Sequence, residues 1–136
     1  MSSFTEPLAI EQIPGTKLWR TMRAVVYYAG HEGSAEAYVV PAGFRTDLGS
    51  VPRTLWPLLG HPAGRAAAGY VLHDWLYHCQ VVSQARADWL LLEACAVLGV
   101  SWAKRQAIYL GVRAGGWSAW RRHAQRIEKE KAQCES

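Results

Sequence analysis

The chain has 136 residues and 50% of them are hydrophobic, which is typical of a single folded domain with its own core and excludes a disordered protein. No apolar run approaches the roughly 18 residues of a membrane-spanning helix, and no leader typical of a classical signal peptide is present. The net charge of +4 and the seven tryptophans favour contact with an anionic partner, such as lipid head groups, nucleic acid or an acidic protein.

The N-terminal part of the domain predicts a small β structure. Residues 1–16 contain prolines and no clear periodicity, so we expect an extended arm there. Residues 17–29 and 35–40 are rich in β-branched and aromatic side chains and flank a glycine-containing turn. The sequence therefore predicts a β-hairpin over residues 17–43.

The rest of the chain predicts a helical body. Ser50 is expected to cap a short helix that carries Pro52 in its first turn and ends near Leu59. Ser83 and Ser101 are expected to cap two of the longer helices that follow. Apolar periodicity places these longer helices at residues 65–79, 84–98, 101–113 and 117–131.

These elements define the predicted fold class, which is α+β and mainly α. Residues 44–113 form the helical core that carries the motifs, and residues 117–136 form a basic C-terminal helix and tail. The three cysteines, Cys79, Cys95 and Cys134, have no metal-ligand spacing. We expect all three to be reduced thiols in a protein made in a cytoplasm, because Cys79 and Cys95 would lie at opposite ends of an antiparallel helix pair.

Residues 69–78 place titratable side chains inside an otherwise apolar helix. His73 and Asp74 are adjacent, and Tyr77 shares the face of His73 because residues four apart on a helix stack. Burying a carboxylate is costly unless it is paired or bound to a metal, so this pattern favours a functional site. The alternative is that His73 and Tyr77 are hydrogen-bonded core residues and that Asp74 meets solvent.

The short connection after this helix predicts a partner for His73. Two helices joined by about four residues pack antiparallel, so residues whose numbers sum to about 162 lie opposite one another and His73 faces Asp88. A buried carboxylate there would fix the tautomer of the imidazole and leave its other nitrogen to take a proton from water. The alternative is that Asp88 is a solvent-facing acid near a helix N-terminus, where the helix dipole favours it.

The loop at residues 44–52 contains a second carboxylate beside exposed backbone carbonyls. Asp47, the Leu48 carbonyl and Asp74 would supply a minimal calcium site one residue from His73, because calcium binds carboxylate, carbonyl and water oxygens. The alternative is that Asp47 only caps a turn.

Two motifs in these stretches resemble a known family. The residues Phe44-Arg-Thr-Asp-Leu-Gly-Ser-Val-Pro, followed by His73-Asp-Trp-Leu-Tyr, resemble the domain-of-unknown-function family 1353, whose members are found mostly in bacteriophages and prophages. The resemblance covers about residues 20 to 110 and is carried by both motifs. It implies a phage origin and names no activity.

A more distant resemblance connects the same motifs to a reaction. The order T-D-x-x-S, then H-D-x-x-Y, then A-R-x-D is similar to the pattern of prokaryotic secreted phospholipase A2. This resemblance implies a phospholipase A2-like core in which His73 activates a water, Asp88 orients His73, and Tyr77 belongs to the supporting hydrogen-bond network. The calcium ligands that it implies are Asp47, Leu48 through its carbonyl, and Asp74. Calcium would polarise the substrate carbonyl and stabilise the oxyanion.

The chain departs from that enzyme pattern in three respects. Gly49 stands where the enzymes carry a cysteine that is disulfide-bonded to the catalytic helix, and this chain has no such partner. Trp75 and Leu76 replace smaller or polar residues, and the predicted hairpin lies outside the enzyme pattern. The resemblance therefore leaves the substrate open.

The C-terminal helix is basic and carries aromatic side chains that could contact a surface. Trp117, Trp120, Arg121 and Arg122 would lie on an anionic membrane or dock on another phage protein. The alternative is that the tryptophans pack on the helical body while the charges form a solvated face. A nucleic-acid role is not expected, because it would require a denser basic stripe.

Three functions follow from these patterns. The first is a phage-encoded, calcium-dependent hydrolase that acts on an ester or amide, with the cell envelope as one site of action. The second is a non-catalytic virion component, such as a tail or tail-tip assembly protein, that retains the fold and stays in the particle. The third is a small host-takeover protein that binds a bacterial target. The sequence leaves the oligomeric state open.

Overall fold

A computed structural model describes residues 2–48 and 53–135, which form two small antiparallel sheets followed by a helical body. The strands are β1 (Ser3–Phe4), β2 (Ile10–Gln12), β3 (Trp19–Thr21), β4 (Val25–Tyr28), β5 (Ala37–Val40) and β6 (Arg45–Thr46). The helices are α1 (Trp56–Leu59), preceded by a 3-10 turn (Arg53–Leu55), α2 (Ala67–Cys79), α3 (Gln84–Val97), α4 (Trp102–Gly115) and α5 (Trp117–Glu135). The predicted α+β class is therefore confirmed.

The N-terminal half forms two sheets instead of the single hairpin expected over residues 17–43. The hairpin pairing itself is present between β4 and β5, where Val25 lies opposite Val40. The expected strand at residues 17–29 is broken into β3 and β4, and β3 pairs with β2 and β6 in a second sheet. The arm at residues 1–16 supplies β1 and β2, so its order comes from pairing with later strands.

Thr21 explains why the predicted long strand is broken. Its buried hydroxyl donates to the Pro41 carbonyl at 2.8 Å and accepts from the Phe44 backbone N–H at 3.0 Å. These bonds tie the end of β3 to the segment that follows β5, so the chain changes sheets between Thr21 and Val25. Propensity along the sequence cannot show such a change, because long-range hydrogen bonds produce it.

The helix caps agree with the sequence where the structure describes them. Ser83 accepts a hydrogen bond from the Arg86 backbone N–H at 3.1 Å, and Ser101 accepts one from the Lys104 N–H at 3.4 Å. Each cap satisfies a backbone donor that the first turn of a helix leaves without a partner. The predicted Ser50 cap and the Pro52 position lie outside the described residues.

Helices α2 and α3 pack antiparallel at the centre of the core. Tyr77 contacts Gln84, His73 contacts Asp88, and Gly69 faces Leu91. Residue numbers thus fall along α2 as they rise along α3, as the short connection predicts. The fully buried side chains of this pair include Leu72, Leu76, Leu90 and Leu91.

This antiparallel arrangement also places the cysteines. Cys79 is half-buried near the C-terminus of α2, whereas Cys95 is fully buried near the C-terminus of α3, and both thiols are free. Burial raises the pKa of Cys95 to about 12, so this thiol remains protonated at neutral pH. The description of the structure does not include the side chain of Cys134.

Helix α5 docks on the C-terminal end of α2. The Gln80 side-chain amide donates to the Trp120 carbonyl at 2.8 Å, and the Arg126 guanidinium donates to the His78 carbonyl at 2.5 Å. The rings of His78 and His123 also meet, with centroids 5.4 Å apart. The basic helix is therefore a packed part of the domain along this face.

Candidate functional site

Asp88 is the centre of the predicted site. Its side chain is fully buried in the second turn of α3, just after the turn that Ser83 caps. Its Oδ1 lies 2.7 Å from His73 Nε2 and accepts a hydrogen bond from the Tyr77 hydroxyl at 2.7 Å. Its Oδ2 accepts a hydrogen bond from Arg113 Nη1 at 2.8 Å. The antiparallel pair thus makes the His73–Asp88 contact that the sequence predicts.

The partners of Asp88 decide its charge. Burial by itself raises the pKa of a carboxyl group, but the hydrogen bonds from His73 and Tyr77 stabilise the carboxylate, and Arg113 adds to them. Together these contacts lower the pKa of Asp88 below its usual value. Asp88 is therefore ionised at neutral pH although water does not reach it.

Tyr77 links the carboxylate to the packing around it. Its hydroxyl donates to Asp88 and accepts from the Gln84 side-chain amide at 3.3 Å. Burial, together with the hydrogen bond to Asp88, raises the pKa of Tyr77 far above its usual value, so the hydroxyl stays protonated. Its ring contacts the His73 ring with centroids 4.3 Å apart and the Trp120 ring edge-on at 5.1 Å. Tyr77 thus supports both the carboxylate and the imidazole.

Gly116 provides the space that the Tyr77 hydroxyl occupies. A Cβ atom at this position would lie 2.5 Å from the Tyr77 oxygen and 2.5 Å from the Val112 carbonyl oxygen. Real Cβ atoms do not approach other atoms so closely, so only glycine is accommodated without displacement. The junction between α4 and α5 therefore closes directly over Tyr77.

The two ring nitrogens of His73 differ in their contacts with the described residues. Nε2 faces Asp88, and among the described residues no hydrogen bond is made to Nδ1. The side chain is 11% exposed, so a small part of the ring surface meets solvent. With Asp88 ionised, the neutral imidazole carries its proton on Nε2 and presents the lone pair of Nδ1. This is the arrangement that a general base requires.

The loop before the helical body meets α2 at Asp74. The Thr46 hydroxyl and the Asp47 backbone are hydrogen-bonded to the half-buried carboxyl of Asp74. Burial raises the pKa of Asp74, and the negative charge of Asp47 raises it further. Leu48 has a fully buried side chain and a positive φ of 55°, which turns the backbone at this point. The loop thus lies against α2 with Asp47 near Asp74, on the helix that carries His73.

The chemistry of this donor set suits calcium in type. Two carboxylates and nearby backbone carbonyls are oxygen ligands, which is the ligand type that calcium binds. Within residues 2–48 and 53–135, no group of three or more His, Cys, Asp or Glu side chains could hold a metal ion. Calcium binding here would therefore depend on backbone carbonyls and water for its remaining ligands.

The motif-bearing region matches a known protein family. The family model described as Protein of unknown function (DUF1353) matches residues 19–112, which include the Asp47 loop, His73 and Asp88. The chain belongs to this DUF1353 family. No curated protein and no solved structure matches the chain.

Two members of the Asp88 network are absent from the sequence prediction for this DUF1353 protein. Arg113 lies one residue beyond the matched region, and Gln84 lies at the start of α3. The contact of Gln84 could have been predicted from its spacing, because Gln84 faces Tyr77 across the antiparallel pair. Arg113 gave no such signal, because its contact depends on how α4 crosses α3.

The predicted surface residues of α5 in this DUF1353 protein divide into two groups. Trp120 is half-buried against Tyr77 and therefore belongs to the core side of the helix. Trp117 is 59% exposed, and Arg121 lies over its ring at 4.7 Å, a cation–π contact. Arg122 is exposed and lines a shallow surface groove that contains none of the predicted catalytic residues.

The length and hydropathy of the helices bear on whether this DUF1353 protein contains a membrane-spanning segment. Among the described residues, no helix is both long enough and apolar enough to cross a membrane. Helix α5 is the longest, but it is rich in charged side chains.

Proposed function

We propose that this protein is a hydrolase of the phospholipase A2-like type that cleaves an ester or amide with a water activated by His73. The observation that carries the proposal is the 2.7 Å contact between His73 Nε2 and the fully buried Asp88 carboxylate. A buried carboxylate on one side of an imidazole supports the opposite nitrogen as a proton acceptor. The fold proposed for the core is accordingly the phospholipase A2-like helix pair of α2 and α3.

Each protein group has a defined part in this proposal. Nδ1 of His73 takes a proton from a water, and the oxygen of that water attacks the substrate carbonyl. Asp88 stabilises the imidazolium that forms and keeps the ring in one orientation. Tyr77 holds Asp88 Oδ1 in place, since its hydroxyl donates to the same oxygen that faces His73. The proton on His73 then passes to the leaving group.

The proposed cofactor is calcium, held by Asp47, Asp74 and the Leu48 carbonyl. Bound there, calcium would supply a Lewis acid for the substrate carbonyl. The proximity of Asp47 and Asp74 supports this site, because the charge of Asp47 acts on the Asp74 carboxyl and calcium binds carboxylate oxygens. Asp74 directly follows His73, so a cation held there would lie beside the base.

A second candidate function is a non-catalytic component of a phage particle, for example in tail assembly. Three tryptophans support it, since Trp89, Trp102 and Trp117 are 47%, 66% and 59% exposed. Tryptophan and arginine are enriched where proteins bind one another. In this alternative the His73–Asp88 pair only stabilises the core, and the small exposed part of His73 has no function.

Calcium titration calorimetry tests the first proposal. We expect the wild type to bind calcium with micromolar to millimolar affinity and both Asp47→Asn and Asp74→Asn to lose this binding, while Glu32→Gln, which removes an exposed carboxylate in a turn, retains it. Absence of binding, together with the same melting temperature in calcium and in chelator, would refute the calcium site.

Hydrolysis of a panel of esters and phospholipids then tests the base. We expect His73→Gln to abolish turnover while the circular dichroism spectrum stays unchanged. Turnover that survives in His73→Gln would assign the activity to another group. A wild type that binds calcium but cleaves no member of the panel would favour the structural alternative, in which His73→Gln lowers the melting temperature.

A further inference from the structure

Arg113 completes the set of partners around the buried Asp88 carboxylate. It lies in the last turn of α4, and its Nη1 donates to Asp88 Oδ2 at 2.8 Å. The other oxygen, Oδ1, is shared by His73 and Tyr77. The two carboxylate oxygens are therefore held by different helices, Oδ1 by α2 and Oδ2 by α4.

This division matters because the terminal torsion of an aspartate is broad. A carboxylate held through one oxygen can rotate about its Cβ–Cγ bond, since that torsion has no sharp staggered minima. Rotation of Asp88 would move Oδ1 away from His73 Nε2 and release the ring. Arg113 opposes this rotation, because it holds Oδ2 from the side of α4.

The charge of Arg113 acts in the same direction. Asp88 is fully buried, and an unpaired carboxylate in that environment would be protonated or would distort the surrounding structure. The Arg113 side chain is 40% exposed, so its cation keeps part of its hydration while it neutralises the carboxylate. Arginine suits this position, because it stays charged and directs its N–H groups in a fixed plane.

We propose that Arg113 is a positioning residue that acts through Asp88 to fix the orientation of the His73 ring. This inference rests on the proposed function, in which His73 is the base and Asp88 orients it. It extends the site to a third helix, since α2 supplies His73, α3 supplies Asp88 and α4 supplies Arg113. It also places a functional residue one position beyond the family match, which ends at residue 112.

A role in positioning differs from a role in anchoring α4. An anchor contributes only to stability, so its loss lowers the melting temperature and leaves the geometry at His73 unchanged in the folded fraction. A positioning residue changes the His73–Asp88 hydrogen bond in the folded protein. Arg105 provides a matched control, because it lies on the same helix and donates to the Val100 carbonyl at 3.1 Å instead of to Asp88.

The experiment compares Arg113→Gln, Arg113→Lys and Arg105→Gln by proton NMR of the His73 Nε2–H signal, assigned by its absence in His73→Gln. We expect this proton to resonate downfield in the wild type and to move upfield or broaden in Arg113→Gln as Asp88 rotates. Arg113→Lys restores most of the signal, and Arg105→Gln leaves it unchanged. An unchanged signal in Arg113→Gln, or one that moves further downfield, overturns the inference.

Turnover provides the second readout and separates the two proposals. In a wild type that hydrolyses an ester, we expect Arg113→Gln to lower kcat by about 10- to 100-fold with little change in KM, because displacement of a supporting group misaligns the base. Equal kcat values for Arg113→Gln and the wild type overturn the positioning role. If the wild type has no hydrolytic activity, the proposed function fails, and the NMR signal still decides whether Arg113 positions His73.

Discussion

Gly116→Ala is the substitution that most directly tests how α4 and α5 close over the Asp88 site. The new Cβ atom would lie 2.5 Å from the Tyr77 hydroxyl oxygen and 2.5 Å from the Val112 carbonyl oxygen. The second of these atoms is backbone, and Tyr77 is fixed by its hydrogen bond to Asp88. The substituted chain must therefore either displace Tyr77 or shift the junction between the helices.

The expected cost follows from these two outcomes. Overpacking a closed site costs about 1–3 kcal/mol, and moving Tyr77 instead would forfeit a hydrogen bond to a charged group, which is worth about 1.5–3 kcal/mol. Gly116 has helical backbone angles, so alanine regains up to roughly 1 kcal/mol of propensity. The net expectation is a loss of about 1–2 kcal/mol, which for a chain of this size lowers Tm by a few degrees.

Gly111→Ala is the matched control. Gly111 lies inside α4, and among the described residues nothing beyond its chain neighbours and its own helix backbone lies within 4 Å of a Cβ added there. This variant is expected to gain about 0.8 kcal/mol, because alanine replaces glycine in a helix interior. Urea unfolding followed by circular dichroism compares the two variants at equal protein concentration. The two glycine substitutions should therefore change stability in opposite directions.

A double-mutant cycle identifies the contact responsible. In a Tyr77→Phe background the hydroxyl oxygen is absent, so Gly116→Ala should cost less than it does in the wild type. The cost that remains reports the approach to the Val112 carbonyl. A Gly116→Ala variant that is as stable as Gly111→Ala would refute the close packing of the junction over Tyr77.

Three further predictions concern the helix caps, the two faces of α5 and the buried Asp88. Ser83→Ala should cost about 1 kcal/mol in urea unfolding, and Ser101→Ala, whose cap bond is longer, should cost less; the reverse order would contradict the cap geometry. Trp120→Ala should cost about 2 kcal/mol because its half-buried ring packs on the core, whereas the exposed Trp117 should tolerate alanine within about 0.5 kcal/mol; equal costs would contradict the assignment of the two faces of α5. The folded-state pKa of Asp88 is lowered, so its contribution to stability is present above the pKa of the unfolded chain, about 4, and is lost as the pH falls through the folded value. Asp88→Asn should therefore flatten the loss of stability in acid, and an unchanged pH profile of Tm would show that Asp88 is not held ionised.

Local sequence determined the helical half of the domain. Apolar periodicity predicted the long helices, and Ser83 and Ser101 predicted where two of them begin. Both signals come from neighbouring residues, so they can be read from local sequence. The β half was harder to predict from the sequence, because its two sheets depend on pairing between strands far apart in sequence. Thr21 decides the break between them through bonds to Pro41 and Phe44.

The centre of the candidate site followed from connection length. A short link between two helices requires antiparallel packing, and this alone placed His73 opposite Asp88. The sequence could not show Arg113 or the space beside Gly116, because both depend on the angle at which α4 crosses α3 and on the junction with α5. Neighbouring residues thus determined the helices and the central pair, whereas packing between distant helices, which no local pattern encodes, decided how the carboxylate is held.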